Sequence, residues 1–388
     1  MSHTPKKIVI FSVLYLPEYV GGAEVAMDQI TKQKELDQYE FHMITLGESG
    51  RPSHKVGNIM VHYTGMLGKT GLLFTISKFF YIIACVFKYF SLHKKYAFDL
   101  VWPLMAGYGG LAAFFVKMLE PKQKLLLTIQ EGDTVKHIMS RAMLSWPFYK
   151  GLFVKADSIQ VISKFLKMFS LDILGKTEDE KIAIIPNGVD LESFTKEVSP
   201  EKRTEVRAQY GFQETDIVVV TTSRLTEKNG VDTLIDTMAI LPPEYKLLII
   251  GAGPDEDMLK AKVIQKGLSS RVTFAGRKPY EELYMYLKSS DVFARLSRSE
   301  GFGNSFIEAM AAELPTIGTD VGGIVDFLQD GVTGYVVTPQ NEDLAKQAIL
   351  RASVKDKTII ANAKRLVQEK YSWNTVAQQF DELFKKII

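Results

Sequence analysis

Two carboxylates, Glu300 and Glu308, stand eight positions apart, with Gly301, Phe302, Gly303, Asn304 and Ser305 among the residues between them. On one continuous helix they would lie about 80° apart around the axis and roughly 12 Å along it. Gly301 and Gly303 disfavour helix. The stretch therefore reads as a loop that turns into a helix near Asn304 or Ser305, with Glu300 on the loop and Glu308 in the opening turn. A helix start presents unpaired N–H groups and partial positive charge, which suits a phosphate. The loop before Gly322 offers a second such start. Matching cations stand in "SRLTEKNG", where Arg224 and Lys228 follow an apolar run at a loop-to-helix junction. Arginine supplies a planar fork for phosphate oxygens and lysine a point charge. Ordinary surface charge is the competing reading of that pair.

Other motifs do not reach a chemistry. "GAGPDE" at Gly251 lacks the third glycine of a dinucleotide fingerprint and reads as a tight strand-to-helix turn. "GMLGKT" is too short before Gly68-Lys69-Thr70 for a phosphate loop. Asp255 to Asp257 formally matches an acidic metal motif but opens a helix, where acids favour the dipole. The six histidines have no ligand spacing, and no Ser-His-Asp order emerges. No metal site is expected. The single cysteine, Cys85, excludes an intrachain disulfide and fits a reducing compartment.

The elements that must position these groups alternate along the chain. "KIVIFSV" reads as a first buried strand, not a signal peptide. A helix "AEVAMDQITKQKEL" follows, then strands at "FHMITL", "IMVHY", "DLVWPL", "KLLLTIQ" and "SIQVIS". Helices lie between them, including one over "HIMSRAMLSWPFYKGLFVKA". After "IPNGVD" the pattern restarts with strands "DIVVVTTSRL", "YKLLIIGAG", "RVTFAGR", "DVFARL", "PTIGTD" and "GYVV". Strands alternating with helices predict parallel sheets with crossover helices. The fold class is α/β, as two doubly wound units. Such sheets bind ligands at the carboxyl ends of their strands, where Gly21-Gly22, Gly301/Gly303 and Gly322-Gly323 all fall.

Taken together, "PEYVGGAE", "IPNGVD", "SRLTEKNGVDTLI", "FAGR", "SRSEGFGNSFIEAMAAELPTIGTDVGGIVDFLQDGVTGYVV" and "YSWNTVAQQFDELF" resemble the retaining glycosyltransferases of family 4, in family order over nearly the whole chain. The resemblance implies a GT-B fold of two Rossmann-like domains facing across a cleft. It places an acceptor-binding domain at residues 1–190, joined by a crossover helix at about 372–388, and a nucleotide-sugar-binding domain at 191–371. It implies that Glu300 contacts the transferred sugar, that Glu308 holds the ribose hydroxyls, and that Arg224 and Lys228 bind the diphosphate. Gly21 and Gly22 carry the amino-terminal glycine loop, and Arg277 sits in the base-contact loop. Gly301, Phe302, Gly303, Asn304 and Ser305 complete the donor site. Many members carry a histidine after the strand matched by "KLLLTIQ". Here Gln130 stands nearby: it can bond a sugar hydroxyl but cannot exchange a proton near neutral pH, leaving Glu131, Asp133 or no side chain for that role.

The implied activity is transfer from a nucleoside-diphosphate sugar to a hydroxyl acceptor, either a sugar or a lipid-linked one, with no cofactor, no metal and no nucleic-acid partner. A same-fold epimerase or phosphorylase, or a non-catalytic membrane- or nucleotide-binding protein, is the rival. The charge pattern adds a location. Residues 1–190 carry 22 Lys+Arg against 17 Asp+Glu, and residues 191–388 carry 25 against 28. Residues 49–98 contain no acid but seven basic residues and many aromatics. An anionic membrane surface would suit that stretch; a buried crossover helix with snorkelling lysines is the alternative. Lys78 and Lys88 argue against a spanning helix, and the expected place is the cytoplasm, at the inner face of the membrane.

Overall fold

The computed structural model describes residues 5–17, 21–68, 70–142 and 145–388. Glu18, Tyr19 and Val20 of the first glycine motif, and Lys69, lie outside them. The chain divides into two compact units, Met1–Asn187 with Trp373–Ile388, and Gly188–Ser372.

The first unit is built on strands β1 (Lys6–Phe11), β2 (Tyr39–Thr45), β3 (His54–Val56), β4 (Ile59–Tyr63), β5 (Leu100–Pro103), β6 (Lys124–Ile129), β7 (Ser158–Val161) and β8 (Ile182–Ile184). They form one sheet in the order β3-β4-β2-β1-β5-β6-β7-β8. All neighbours are parallel except β3 and β4. Helices cover both faces, so the inner strands are buried throughout: Ile8, Val9, Ile10 and Phe11 have no exposed surface. The helices are α1 (Gly22–Thr31), α2 (Gly71–Tyr96), α3 (Tyr108–Leu119), α4 (Val135–Ala142), α5 (Trp146–Lys155) and α6 (Lys164–Leu174).

The second unit carries α7 (Leu191–Phe194), α8 (Pro200–Gln209), β9 (Ile217–Thr222), α9 (Val231–Ile240), β10 (Tyr245–Ile250), α10 (Glu256–Gln265) and β11 (Val272–Gly276). It continues with α11 (Leu283–Lys288), β12 (Val292–Ala294), α12 (Asn304–Ala311), β13 (Thr316–Thr319), β14 (Tyr335–Val337), α13 (Glu342–Ala352) and α14 (Lys357–Lys370). Its sheet is wholly parallel in the order β11-β10-β9-β12-β13-β14.

The last helix, α15 (Trp373–Ile387), belongs to the first unit. Val376, Ala377, Phe380, Leu383 and Phe384 recur at helical spacing on its buried face. Phe380 and Phe384 lie 5.1 and 5.2 Å from the Trp102 ring of β5. Burying each phenyl contributes about 1.5–3 kcal/mol.

Three elements differ from the sequence expectation. The first helix stops at Thr31; Gln33 is extended, and a separate 3-10 turn at Lys34–Leu36 buries Leu36. The helix expected over residues 137–156 is two helices, because Pro147, with no N–H to give, starts α5 anew. Strand β3 is an unexpected antiparallel edge of three residues.

Candidate active site

The site in the second unit is assembled from loops at the carboxyl ends of its parallel strands. The loop after β9 carries Arg224, which is exposed, then a buried Leu225 and a 3-10 turn at Glu227–Asn229 holding Lys228. Gly230 follows with φ +66°, and a Cβ there would lie 1.8 Å from the Leu296 carbonyl oxygen. Only glycine permits that approach to the loop after β12. The Arg298 amide then donates to the Lys228 carbonyl at 2.7 Å. The Arg298 guanidinium forks onto Asp232 at 2.9 and 2.7 Å and donates to the Glu227 carbonyl.

Two residues complete this lock. Asn229, buried, donates to the Arg224 carbonyl at 2.5 Å and to Thr226 Oγ1 at 3.2 Å. Its own Oδ1 accepts from Arg295 Nη2 at 2.6 Å. The same Arg295 nitrogen donates to Glu300 Oε2 at 2.5 Å, and Nη1 donates to Ser305 Oγ at 3.0 Å. Arg295 and Glu300 are only 11% and 13% exposed. Arg295 thus ties the cationic loop, the acidic loop and the start of α12 together. Sequence reading missed it because it sits inside the apolar run "DVFARL". The signal was a charged residue in a stretch otherwise fit for burial.

Gly303, at φ +98°, is the N-cap of α12, so the helix begins at Asn304. Glu308 is its fifth residue, one turn further in than the opening turn expected for it. Phe302 is buried among Phe327 and Tyr371, with ring centroids 5.2 and 5.5 Å away; it props the loop from beneath. Gly322 has φ +55°, a Cβ there would meet the Glu300 carbonyl oxygen at 1.8 Å, and the Gly323 amide donates to that oxygen at 3.1 Å. The stretch around Gly322 is a 3-10 turn, Gly322–Asp326, not the start of a longer helix. Gly251 and Gly253 are close-approach positions: Cβ atoms there would lie 1.8 and 2.1 Å from the Ser223 and Leu225 carbonyl oxygens. That geometry is a tight turn.

Burial pushes the Glu308 carboxyl up to about 7, opposed in part by the Arg295 charge. Tyr280 lies close enough to feel Glu308, and its hydroxyl is held neutral mainly by burial; sequence gave no signal for it. Arg277 is exposed on the loop after β11. Among the described residues no group of three His, Cys, Asp or Glu could hold a metal. Asp255 is the N-cap of α10, with Glu256 and Asp257 in its first turn.

In the first unit, Gly21 is the N-cap of α1 and Gly22 its first residue. Glu24 packs back on Gly21, where a Cβ would lie 2.5 Å from its Oε2. Burial raises the Glu24 carboxyl, against the pull of its backbone hydrogen bonds. Gln130 follows β6 on the same sheet edge, and its buried Nε2 has no hydrogen-bond partner among the described residues. A buried amide donor left unsatisfied costs about 1–3 kcal/mol. Below it, Trp102 Nε1 donates to Thr128 Oγ1 and Thr128 Oγ1 to Gln160 Oε1, each at 2.7 Å. Those bonds tie β5, β6 and β7 at the level of the site. Gly21, Gly22 and Gln130 thus share one unit, and Arg224, Lys228, Arg277, Glu300 through Ser305 and Glu308 share the other.

Paired parallel-sheet units with these loops are the architecture of the GT-B glycosyltransferases. Two family models match in tandem, Glycosyltransferase Family 4 over residues 20–193 and Glycosyl transferases group 1 over residues 202–373. The chain belongs to glycosyltransferase family 4. It is 33% identical over 237 residues to an uncharacterized glycosyltransferase of Methanocaldococcus jannaschii, a match spanning 59% of this chain and 60% of that protein. It is 24% identical over 376 residues to the N-acetyl-alpha-D-glucosaminyl L-malate synthase of Bacillus anthracis, covering 95% of each. Among solved structures, sucrose-phosphate synthase from Thermosynechococcus elongatus superposes with a TM-score of 0.85 at 22% identity, over 98% of each chain. Anabaena HepE in complex with UDP and glucose superposes with a TM-score of 0.79 at 20% identity, over 98% of this chain and 100% of that one. At these identities the superpositions establish the shared fold.

Proposed function

We propose that this glycosyltransferase moves a sugar from a nucleoside diphosphate to a hydroxyl acceptor with retention of configuration and without a metal. The observation that carries the reading is the lock through Asn229 and Arg295, which fixes the Arg224–Lys228 loop against Glu300 and the start of α12. The HepE structures with UDP and UDP-glucose support a nucleotide sugar as donor. Breaking the bond from the anomeric carbon to the phosphate oxygen leaves negative charge on the diphosphate and positive charge on the ring. Arg224, Lys228 and the first N–H groups of α12 meet the former. The leaving phosphate oxygen takes the acceptor's proton on the same face, which gives retention.

Glu300 orients the sugar and faces the ring charge. Its pairing with Arg295 makes it a poor covalent nucleophile, because that guanidinium already holds one carboxylate oxygen. Glu308 accepts from the ribose hydroxyls, and Gln130 donates to a sugar or acceptor hydroxyl. The acceptor is a sugar or a lipid-linked hydroxyl, met on the cytoplasmic side of an anionic membrane. The epimerase, phosphorylase and non-catalytic readings have no observation of their own. A thermal-shift screen of UDP-, GDP- and ADP-sugars selects the donor, and NMR of the product's anomeric proton with that donor reads the stereochemistry. An inverted product, or no stabilisation by any nucleotide sugar, overturns the reading.

A further inference from the structure

Helix α2 has two apolar faces, and the sheet uses only one. Ser77, Tyr81, Cys85 and Tyr89 recur every fourth residue and are buried. The Tyr81 hydroxyl donates to the Ile44 carbonyl of β2 at 2.8 Å, and the Tyr89 hydroxyl donates to Gln123 Oε1 at 2.9 Å. On the opposite side Leu72, Leu73, Phe79, Phe80, Ile83 and Phe87 are 53–74% exposed. At 100° per residue these six fall within about 120° of arc, and no charged residue enters that arc until Lys94. A crossover helix of a water-facing domain would carry polar residues there. The apolar surface continues onto the adjoining α3, where Met118 and Leu119 are also exposed.

We propose that this outward face of α2 seats the first unit on an anionic lipid bilayer. Charge selects the occupant. Lys94 falls within the apolar arc and Lys95 about 40° beyond its edge, whereas Lys78 and Lys88 turn toward the Ser77–Tyr89 side. Neither Lys94 nor Lys95 forms an ion pair among the described residues, and the chain offers no acid between Glu48 and Asp99. A second copy would bring the same acid-free surface against itself, lysine toward lysine. Anionic headgroups neutralise those lysines while the phenyl rings enter the acyl boundary. The helix is long and apolar enough to cross a membrane by length and composition, yet its Tyr81–Tyr89 face is committed to the sheet. It therefore lies on the bilayer and does not span it. Helix α2 also starts after the carboxyl end of β4, the sheet edge that carries Gly21, Gly22 and Gln130. On the glycosyltransferase reading, that places the acceptor end of the first unit toward the lipid and favours a lipid-anchored acceptor.

The test uses the full chain with phosphatidylcholine vesicles, with and without phosphatidylglycerol, at low and high salt. Wild type is expected to pellet with the anionic vesicles at low salt and to release at high salt. The double variant Phe80→Glu/Phe87→Glu is expected to lose at least about tenfold in partitioning. Replacing Lys94 and Lys95 by Gln should weaken the preference for phosphatidylglycerol. Ile83→Trp should shift its emission to the blue on adding vesicles, a readout of insertion that charge alone would not produce. UDP affinity and melting temperature of the Phe variants, measured without lipid, should match wild type, which separates this face from the donor site. Failure to pellet, pelleting unchanged by the double variant, or a dimer in light scattering that the double variant dissolves would each overturn the proposal.

Discussion

On the proposed role of Glu308 at the ribose, donor binding is a proton-linked event, and the size of the effect follows from its surroundings. Its carboxyl rises from an ordinary 4.5 to about 7 because it is enclosed in α12. At neutral pH the empty site is then about half protonated. A carboxylate accepting from two ribose hydroxyls is favoured in its ionised form. Binding therefore selects the ionised state and expels the proton. If only that state binds, affinity at pH 6 is about tenfold below its value at pH 8, because about nine sites in ten are protonated at the lower pH. Glu308→Gln cannot ionise, so its affinity should be lower at pH 8 and free of this component. The diphosphate titrates in the same range, so the quantity to compare is the ratio of wild-type to variant affinity. Isothermal calorimetry with UDP at pH 6, 7 and 8 gives it, and buffers of different ionisation enthalpy count the proton released. A ratio that stays flat from pH 6 to 8 would refute the coupling. The same shift acts on folding with a definite sign. The carboxyl is raised in the folded state, so stability falls as pH climbs from the unfolded value near 4.5 through about 7, and levels off above. At about 1.36 kcal/mol per unit this amounts to roughly 3 kcal/mol, which Glu308→Gln should not show.

Arg224→Ala or Lys228→Ala removes a charge-assisted contact worth roughly 1.5–3 kcal/mol, so transfer should slow about 10–100-fold with an unchanged melting curve; wild-type turnover in both variants would remove these residues from the diphosphate. Arg295→Met leaves Glu300 and Asn229 without their shared donor, and should lower both melting temperature and kcat. Arg295→Lys should not restore kcat, since one ammonium cannot reproduce the forked contacts. Adding Glu300→Gln to Arg295→Met should recover stability without activity, and additive stability losses in that cycle would deny the pairing. Activity should survive EDTA; complete loss restored by manganese or magnesium would bring the acids at Asp255–Asp257 back into question.

Much of the fold is legible because strands buried on both faces read as unbroken apolar runs, as in "KIVIF" and "YKLLII". The placing of Glu300 and Arg224 on loops beyond the strands was visible because polar residues and glycines cluster where those runs end. Four things were not legible. Arg295 hides in a run of strand character, and only its three partners give it meaning. The Glu308 environment depends on what closes over α12, which spacing does not encode. In sequence the Leu72–Phe87 face of α2 is more apolar than the Ser77–Tyr89 face; packing alone decides that Tyr81 goes inward and Phe80 outward. The early end of α1 belongs with these, since Leu36 fits a helical pattern yet is buried by a separate turn.

The return of α15 to the first unit has a consequence for synthesis on the ribosome. The chain leaves the first unit after Asn187 and re-enters it at Trp373. Every strand of the second unit is therefore made before the Phe380 and Phe384 rings that close over Trp102. The second unit can finish folding during elongation, while the earlier-made half waits with an open seam until α15 clears the exit tunnel. A stop codon placed just before α15 should accordingly spare the later-made unit and expose the earlier one to proteolysis. The integrity of the first half is set by a helix translated after the whole of the second unit.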